Sequence, residues 1–577
     1  MSGMIWGDDA WGAMPSLPIP DAPDTPNPSP DAFDPRMGGD LVWLAEIEAA
    51  LDGGTQPTGG PAWADDAWAA MPPDFAPAGG SETVRVSDLG WRGRESDIGG
   101  ALPYPPLLIT GPDIDRRVAL APGSSDTFAW GSLGIASPGL VPGTSLTGRD
   151  TAMRRVRIRA GLRGWDQSRG YVTDPSTAGL IDVFAGMAMT WRATDQGAEV
   201  PLRDPTAWLD APIGIRRFLG TGGTEGPSSL AGTPWPLVRG GTTGAPVRSC
   251  PVVLVNAASR VYRWTDGAGA LVQVYEDGAP VYTFAGLVAD VFAVGSPGAG
   301  AYYADALGQL KLGSDPAGTI TVDGAVGSDP TAAAVLRDLL MVTLALPGGM
   351  LDLGSVITAS SVAPYAGGWA WSGQETGRDA IKPLLAAMGA RLVASRSGGL
   401  RLWALRALAA DAAPVIRIDP WLLGVTIAPV ALDAPLAPPA ATWTVGYGHT
   451  HVTTTTPKPT VTPAERDRLA QPWRTAPWTD AANLSRYAQP SRPDLVETAL
   501  LQQADAQSLA NAIGALWGVQ RSLWQVTMPT ASVLLREFGD VVSLQWPADG
   551  LRAGALGQIV GDSIRAGTDT ASILVLV

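Results

Sequence analysis

The chain has 577 residues, a net charge of −15, and 70 Gly, 51 Pro and 22 Trp. That length fits three to five domains at roughly 100–200 residues each, and so turn-rich a composition excludes a coiled coil or helical solenoid. A single cysteine, Cys250, excludes an intrachain disulfide framework, a cysteine-based zinc site and an iron–sulfur cluster.

The charge is concentrated at the start. Residues 1–80 hold 13 Asp and Glu against one basic residue, Arg36, a net −12, while the remaining 497 residues carry only −3. With no basic face to release counterions, specific nucleic-acid binding is not expected. Residues 1–15 contain Asp8 and Asp9 but no basic cluster, so no signal peptide is expected. The most apolar stretch, 332–346, is broken by Arg337 and Asp338, so no membrane segment is expected either.

Within residues 1–80 a ten-residue pattern occurs twice. Trp6-Gly7-Asp8-Asp9-Ala10-Trp11-Gly12-Ala13-Met14-Pro15 returns as Trp63-Ala64-Asp65-Asp66-Ala67-Trp68-Ala69-Ala70-Met71-Pro72, 57 residues later. Pro-rich and Gly/Thr-rich text separates the copies, leaving too few apolar residues for a core. Two Trp and a Met held in water are costly, however, and make compact anchors. The reading is an extended acidic arm bearing two linear docking motifs, with Trp6, Trp11, Met14, Trp63, Trp68 and Met71 as the docking residues. Tethering two copies gains avidity without new contacts. The bland alternative is that these Trp residues pack back onto their own body. Between the motifs, residues 40–51 predict a short amphipathic helix capped by Asp40. Deletion of residues 1–80 is expected to leave the body folded.

From Thr83 onward the text becomes short β runs punctuated by Gly and Pro. Residues 154–160 alternate as a half-exposed strand does. Residues 259–265, Asp266-Gly267, residues 270–275 and Asp277-Gly278 predict a meander with tight turns. Cys250, beside Pro251 and the apolar residues 252–255, reads as a small buried hydrophobe. A first helix is predicted from Asp329 as N-cap and Pro330 at N1 through Leu340. A second carries Ile381, Leu384, Leu385 and Met388 and stops at Gly389, with Pro383 demanding a kink or late start. Residues 391–395, the turn Ser397-Gly398-Gly399 and residues 400–405 complete an αββ unit. A third helix, about residues 504–517, is followed only by strands (522–528, 540–546, 556–564 and 570–577), the pattern of a small antiparallel barrel.

Several of these segments carry a resemblance. Pro201-Leu202-Arg203-Asp204-Pro205, Trp208-Leu209, Gly220 to Gly226 and Leu230-Ala231-Gly232 are similar to the tail hub (baseplate hub) proteins of tailed, siphophage-type phages and prophages of alphaproteobacteria. Tyr303-Ala304-Asp305-Ala306-Leu307, the run Leu312 to Thr319, Gly446-Tyr447 and the run Phe538 to Pro547 continue the series, which covers about residues 84–577 in order. Residues 1–80 are not part of the family pattern. The resemblance implies a virion protein, a homotrimeric ring of two tail-tube-like β-barrel domains per chain with inserted domains. It further implies that this ring joins the distal tail protein ring and the tape-measure protein C-terminus to tail-tip or fibre proteins.

The fold expected is mainly β with α+β insertions. Its segments are the arm at 1–80, a first tube-like β domain at 81–245, a hairpin or meander domain at 246–328, an α+β domain at 329–440 and a second β-barrel domain with one helix at 441–577. No enzyme, cofactor or metal site is expected. His449 and His451, the two histidines, have no carboxylate or thiol beside them and read as exposed strand residues. Gly220 to Gly226 lacks the Lys-Ser/Thr of a phosphate loop and reads as a flexible loop. A Gly-x-Ser-x-Gly elbow is absent. A cell-wall hydrolase would need two opposed carboxylates, and the paired Asp residues of the arm are adjacent in sequence. The main alternative is a receptor- or glycan-binding tail-tip protein using surface Trp, but Trp264, Trp403, Trp524 and Trp546 sit in apolar strand text.

Overall fold

The computed structural model describes residues 41–51, 81–94, 102–122, 126–136, 146, 148–166, 171–422, 424–433, 436–548 and 550–577. Its first element, β1 (Leu41–Leu51), is a strand where the sequence predicted a helix. The cause is burial on two sides. Trp43, Ala45 and Ile47 enter the main core, while Val42 and Leu44 pack with Trp91 and Tyr104 on the other face. A short apolar run of this kind carries no periodicity to separate strand from helix. β1 lies between β2 (Ser81–Ser87) and the strand Arg154–Leu162, with Ile47 opposite both Val84 and Val156. Residues 41–51 therefore do not belong to an extended arm, and removing residues 1–80 would take an interior strand out of the body.

The first sheet has nine strands, its main path running β2, β1, Arg154–Leu162, Ile181–Ala188, Gly197–Arg203, Ser132–Ala136 and Leu108–Thr110. A bridge from Ser87 to Pro106 links the β2 end of that path to the chain just before its last strand. Val156, Ile158 and Ala160 are buried, as the alternation required.

Residues 237–326 form an insert with its own core, centred on Cys250, Trp264, Val274, Tyr302, Leu310 and Val322. Cys250 is buried as expected, and burial pushes its thiol pKa well up. The predicted meander does not form. Val261–Arg263 belongs to a five-stranded sheet and Ala270–Glu276 to a three-stranded one. Asp266 is the reason: instead of shaping a two-residue turn, it is gripped by Arg239 through hydrogen bonds of 2.7 and 3.0 Å. Asp277-Gly278 does turn tightly, with φ of 47° and 76°.

Three helices cover the core between the insert and the C-terminal region. α1 (Ala332–Asp338) is capped by Thr331, which accepts from the Ala334 N–H at 3.3 Å. The cap stands two residues later than predicted because Asp329 accepts instead from the Thr331 N–H at 2.9 Å. α1 runs into a π-type turn, Leu339–Thr343, that keeps Leu339 and Leu340 buried. α2 spans Leu353–Val362 and α3 Gly377–Met388, ending at Gly389 with φ 55° as predicted. Pro383 sits inside α3, and its carbonyl accepts from the Ala499 N–H at 2.9 Å. The hairpin Ala390–Ala394 with Leu400–Ala404 completes the αββ unit.

The helix Gln503–Trp517 matches its prediction, but a short helix, Thr530–Leu534, interrupts the strands after it. The C-terminal sheet has eight strands. Ala555–Arg565 lies at its centre, and Asp113–Arg117 from the other end of the chain pairs with it, Arg116 opposite Asp562. Ile573, Leu574, Val575 and Leu576 are buried, as the apolar ending suggested. Trp264 and Trp524 are buried, whereas Trp403 and Trp546 pack against the core only in part. No helix among the described residues is long and apolar enough to cross a membrane.

Candidate functional site

Trp6, Trp11, Met14, Trp63, Trp68 and Met71 lie outside the described residues. The segments that carry the family resemblance are described, and they work as turn and core residues. Asp204 is buried and accepts from the Thr206 N–H at 2.7 Å and the Trp130 indole N–H at 2.5 Å. It thereby fixes the turn Pro205–Asp210 onto the first sheet. Asp305 closes its own turn by accepting from the Leu307 and Gln309 N–H groups, each at 2.9 Å. Gly220 to Gly226 closes on itself through Gly220 N–H to Glu225 O at 3.0 Å and Gly222 N–H to Gly226 O at 2.8 Å.

His449 and His451 are not exposed strand residues. They follow the strand Thr442–Tyr447 and are half-buried against Trp369 and Trp473. Their Nδ1 atoms are 3.3 Å apart, and His451 Nε2 accepts from the Ala370 N–H at 3.2 Å. An accepting Nε2 puts the His451 proton on Nδ1, which then donates to His449 Nδ1. Both rings are thus held neutral. Burial pushes the His449 pKa down to about 4, and burial with the neighbouring ring pushes His451 well below its ordinary value. Because both pKa values are depressed, the unfolded chain binds more protons than the folded one as pH falls below about 6.5. Stability is expected to drop by several kcal/mol between pH 6.5 and 4. Urea midpoints across that range should show the slope in the native chain and a flatter one in His449→Phe/His451→Phe. Equal slopes would remove the histidines from the account. Among the described residues no group of three or more His, Cys, Asp or Glu side chains is placed to hold a metal ion.

A groove of about 1400 Å³ lies between the first sheet and the α+β region. Small-molecule sites span roughly 300–1000 Å³, so this volume suits a stretch of polypeptide. One wall is sheet: Glu48 of β1, Met153, Arg154 and Arg155, with Ala185, Gly186 and Met187 beside them. The other wall is α2, the loop Pro347 to Met350 and the hairpin tip Ser395 to Gly399. The tip reaches the sheet because Gly398, at φ 92°, leaves room that a Cβ would fill, 2.8 Å from the Ala185 Cβ. Met153, Met187, Met350, Trp208, Trp403 and Val362 give the groove apolar lining, and methionine adapts readily to an irregular guest.

Its charges are unevenly committed. Arg406 donates to the Gly389 carbonyl at 3.1 Å, Asp352 caps α2 by accepting from the Ser355 N–H at 3.1 Å, and Glu537 accepts from Arg116 at 3.3 Å. Arg154, Arg155 and Arg401 make no ion pair among the described residues. The sequence displayed the Arg154-Arg155 pair and the turn Ser397-Gly398-Gly399, but not that they face one another across a groove.

Behind Glu537 sits a buried ion cluster. Arg116 donates from Nε to Asp562 Oδ1 at 2.9 Å, and Arg396 donates to Asp562 Oδ2 at 2.5 Å. Arg396 also donates to the Leu534 and Arg536 carbonyls at 2.8 and 2.7 Å. The Arg116 guanidinium lies 4.7 Å from the centre of the Phe538 ring. Burial alone would raise the Asp562 pKa, but the two guanidiniums hold it below the usual carboxylate range.

No protein-family model matches the chain, and no curated protein does. Among solved structures, a tail protein from Neisseria meningitidis MC58 aligns at 12% identity over 81% of this chain and 97% of that one, with a TM-score of 0.29. The prophage MuSo2 43 kDa tail protein from Shewanella oneidensis aligns at 10% identity over 81% and 92%, with a TM-score of 0.31. A topological model of the p2 virion baseplate in its activated conformation aligns at 9% identity over 92% and 98%, with a TM-score of 0.25.

Proposed function

We propose that this chain is a structural virion protein, the hub at the distal end of a phage tail. The observation that carries the reading is the ordered series of hub-like segments from Pro201 to Pro547. It falls on fold-determining positions, such as Asp204, Asp305 and Phe538, rather than on a reactive cluster. In this reading three chains form a ring, each contributing two tube-like β domains, which matches a sixfold tube above to threefold components below. The ring joins the distal tail protein and the end of the tape-measure protein to tip or fibre proteins, and performs no catalysis. The duplicated Trp/Met motifs dock onto subunits of the ring.

The test is antibody labelling of residues 81–577 on purified particles of the encoding phage or prophage, viewed by electron microscopy. Label is expected only at the tail end opposite the head. Working label controls with no signal there would end the hub reading and move attention to glycan binding by the purified protein.

A further inference from the structure

We infer that the groove between the first sheet and α2 is the docking site for the second copy of the repeated motif, residues 63–72 of the same chain. The inference adopts, for the second copy, the alternative in which the motif packs onto its own chain, and it does not depend on the hub assignment. Three observations converge on this occupant. The first is position. β1 ends at Leu51, three residues beyond Glu48 in the groove wall, and β2 begins at Ser81 directly beside it. Both ends of the connection 52–80 therefore start at the groove edge. Twelve residues from Leu51 to Trp63 span up to about 40 Å, so the motif reaches the groove without strain on the sheet.

The second is charge. Asp65 and Asp66 lie between the two Trp residues of the motif. Among the described residues Arg154 and Arg155 on one wall make no ion pair, and Arg401 on the other has only the longer-range attraction of Asp540. Apolar anchors flanking an acidic pair match a Met- and Trp-lined floor with unpaired guanidiniums at its walls. The third is size, since the groove exceeds a small-molecule site. Tethering adds an effective concentration of roughly millimolar order for a connection of this length, so even weak intrinsic contacts keep the groove filled.

Hydrogen exchange on the full chain tests this from both sides. Residues 63–72 should exchange about tenfold more slowly than the neighbouring 53–61, equally at low and high protein concentration. Trp63→Ala/Trp68→Ala should speed exchange at 347–350 and 395–399. Arg154→Glu/Arg155→Glu should strip the protection from 63–72, and adding Asp65→Arg/Asp66→Arg should restore it. Should that sheet variant misfold, Arg401→Glu on the opposite wall supplies an independent loss. Protection that survives every groove variant would overturn the groove assignment while leaving the docking reading intact. Protection that appears only as protein concentration rises would overturn docking on the same subunit. No protection of 63–72 in free chain or in assembled particles would overturn both.

Discussion

Asp562→Ala is expected to cost about 3–5 kcal/mol of folding stability, the largest loss from a single carboxylate among the described residues. Among the described residues Asp562 is the one carboxylate shared by two buried guanidiniums, Arg116 and Arg396. Removing it strands both cations, and Glu537, itself a third exposed and 3.3 Å from Arg116, replaces little of the lost interaction. The cluster also joins the strand Asp113–Arg117, the hairpin tip and the segment after Thr530–Leu534, so its loss loosens three elements together. Urea unfolding at pH 7 measures the effect; a loss below about 1 kcal/mol, the range of exposed pairs, would refute it. A pH signature should accompany it. Because the Asp562 pKa is depressed, its contribution is complete above the unfolded value near 3.9 and disappears as pH falls through the folded value. That window lies below the one assigned to His449 and His451, so acid titration separates the two sites.

Trp264→Ala is expected to cost about 3–5 kcal/mol, confined to the insert. The Trp264 ring fills the space above Gly324, where even a Cβ would come within 2.3 Å of it, and above Gly269, where the distance is 2.7 Å. The glycines supply no side chain to collapse into the space left behind, so the cavity remains. Trp264→Phe should cost less, because it keeps a ring there and removes an indole N–H that has no hydrogen-bond partner among the described residues. The sole cysteine provides the readout. Cys250 belongs to the same core cluster, so a thiol reagent should modify it faster in Trp264→Ala than in the native chain. Unchanged thiol reactivity with a normal unfolding midpoint would contradict this account.

How far the sequence discloses the structure depends on what each residue's neighbours are. The αββ unit around Gly389, the 503–517 helix and the buried ending at 573–576 were legible because local periodicity and a glycine stop determine them. β1 was not, since its second face is covered by Trp91 and Tyr104 from a short strand pair further along the chain. Neither was the histidine pair, whose environment comes from Trp369, 80 residues earlier in the chain. Asp266 misled because the same Asp-Gly text serves either a tight turn or a guanidinium partner, and only Arg239 decides which. The groove was invisible for the same reason: its walls are separate short segments, none unusual alone.

The pairing of Asp113–Arg117 with Ala555–Arg565 has a consequence for how the protein is made. Arg116 and Asp562 are separated by 446 positions. At about 5–20 residues per second of synthesis, Arg116 waits roughly 20–90 s for its partner. During that interval the nascent polypeptide carries a guanidinium destined for complete burial and a strand with an open edge, both beyond the ribosome. Shielding of that edge by ribosome-associated chaperones is therefore expected to raise the yield of folded protein.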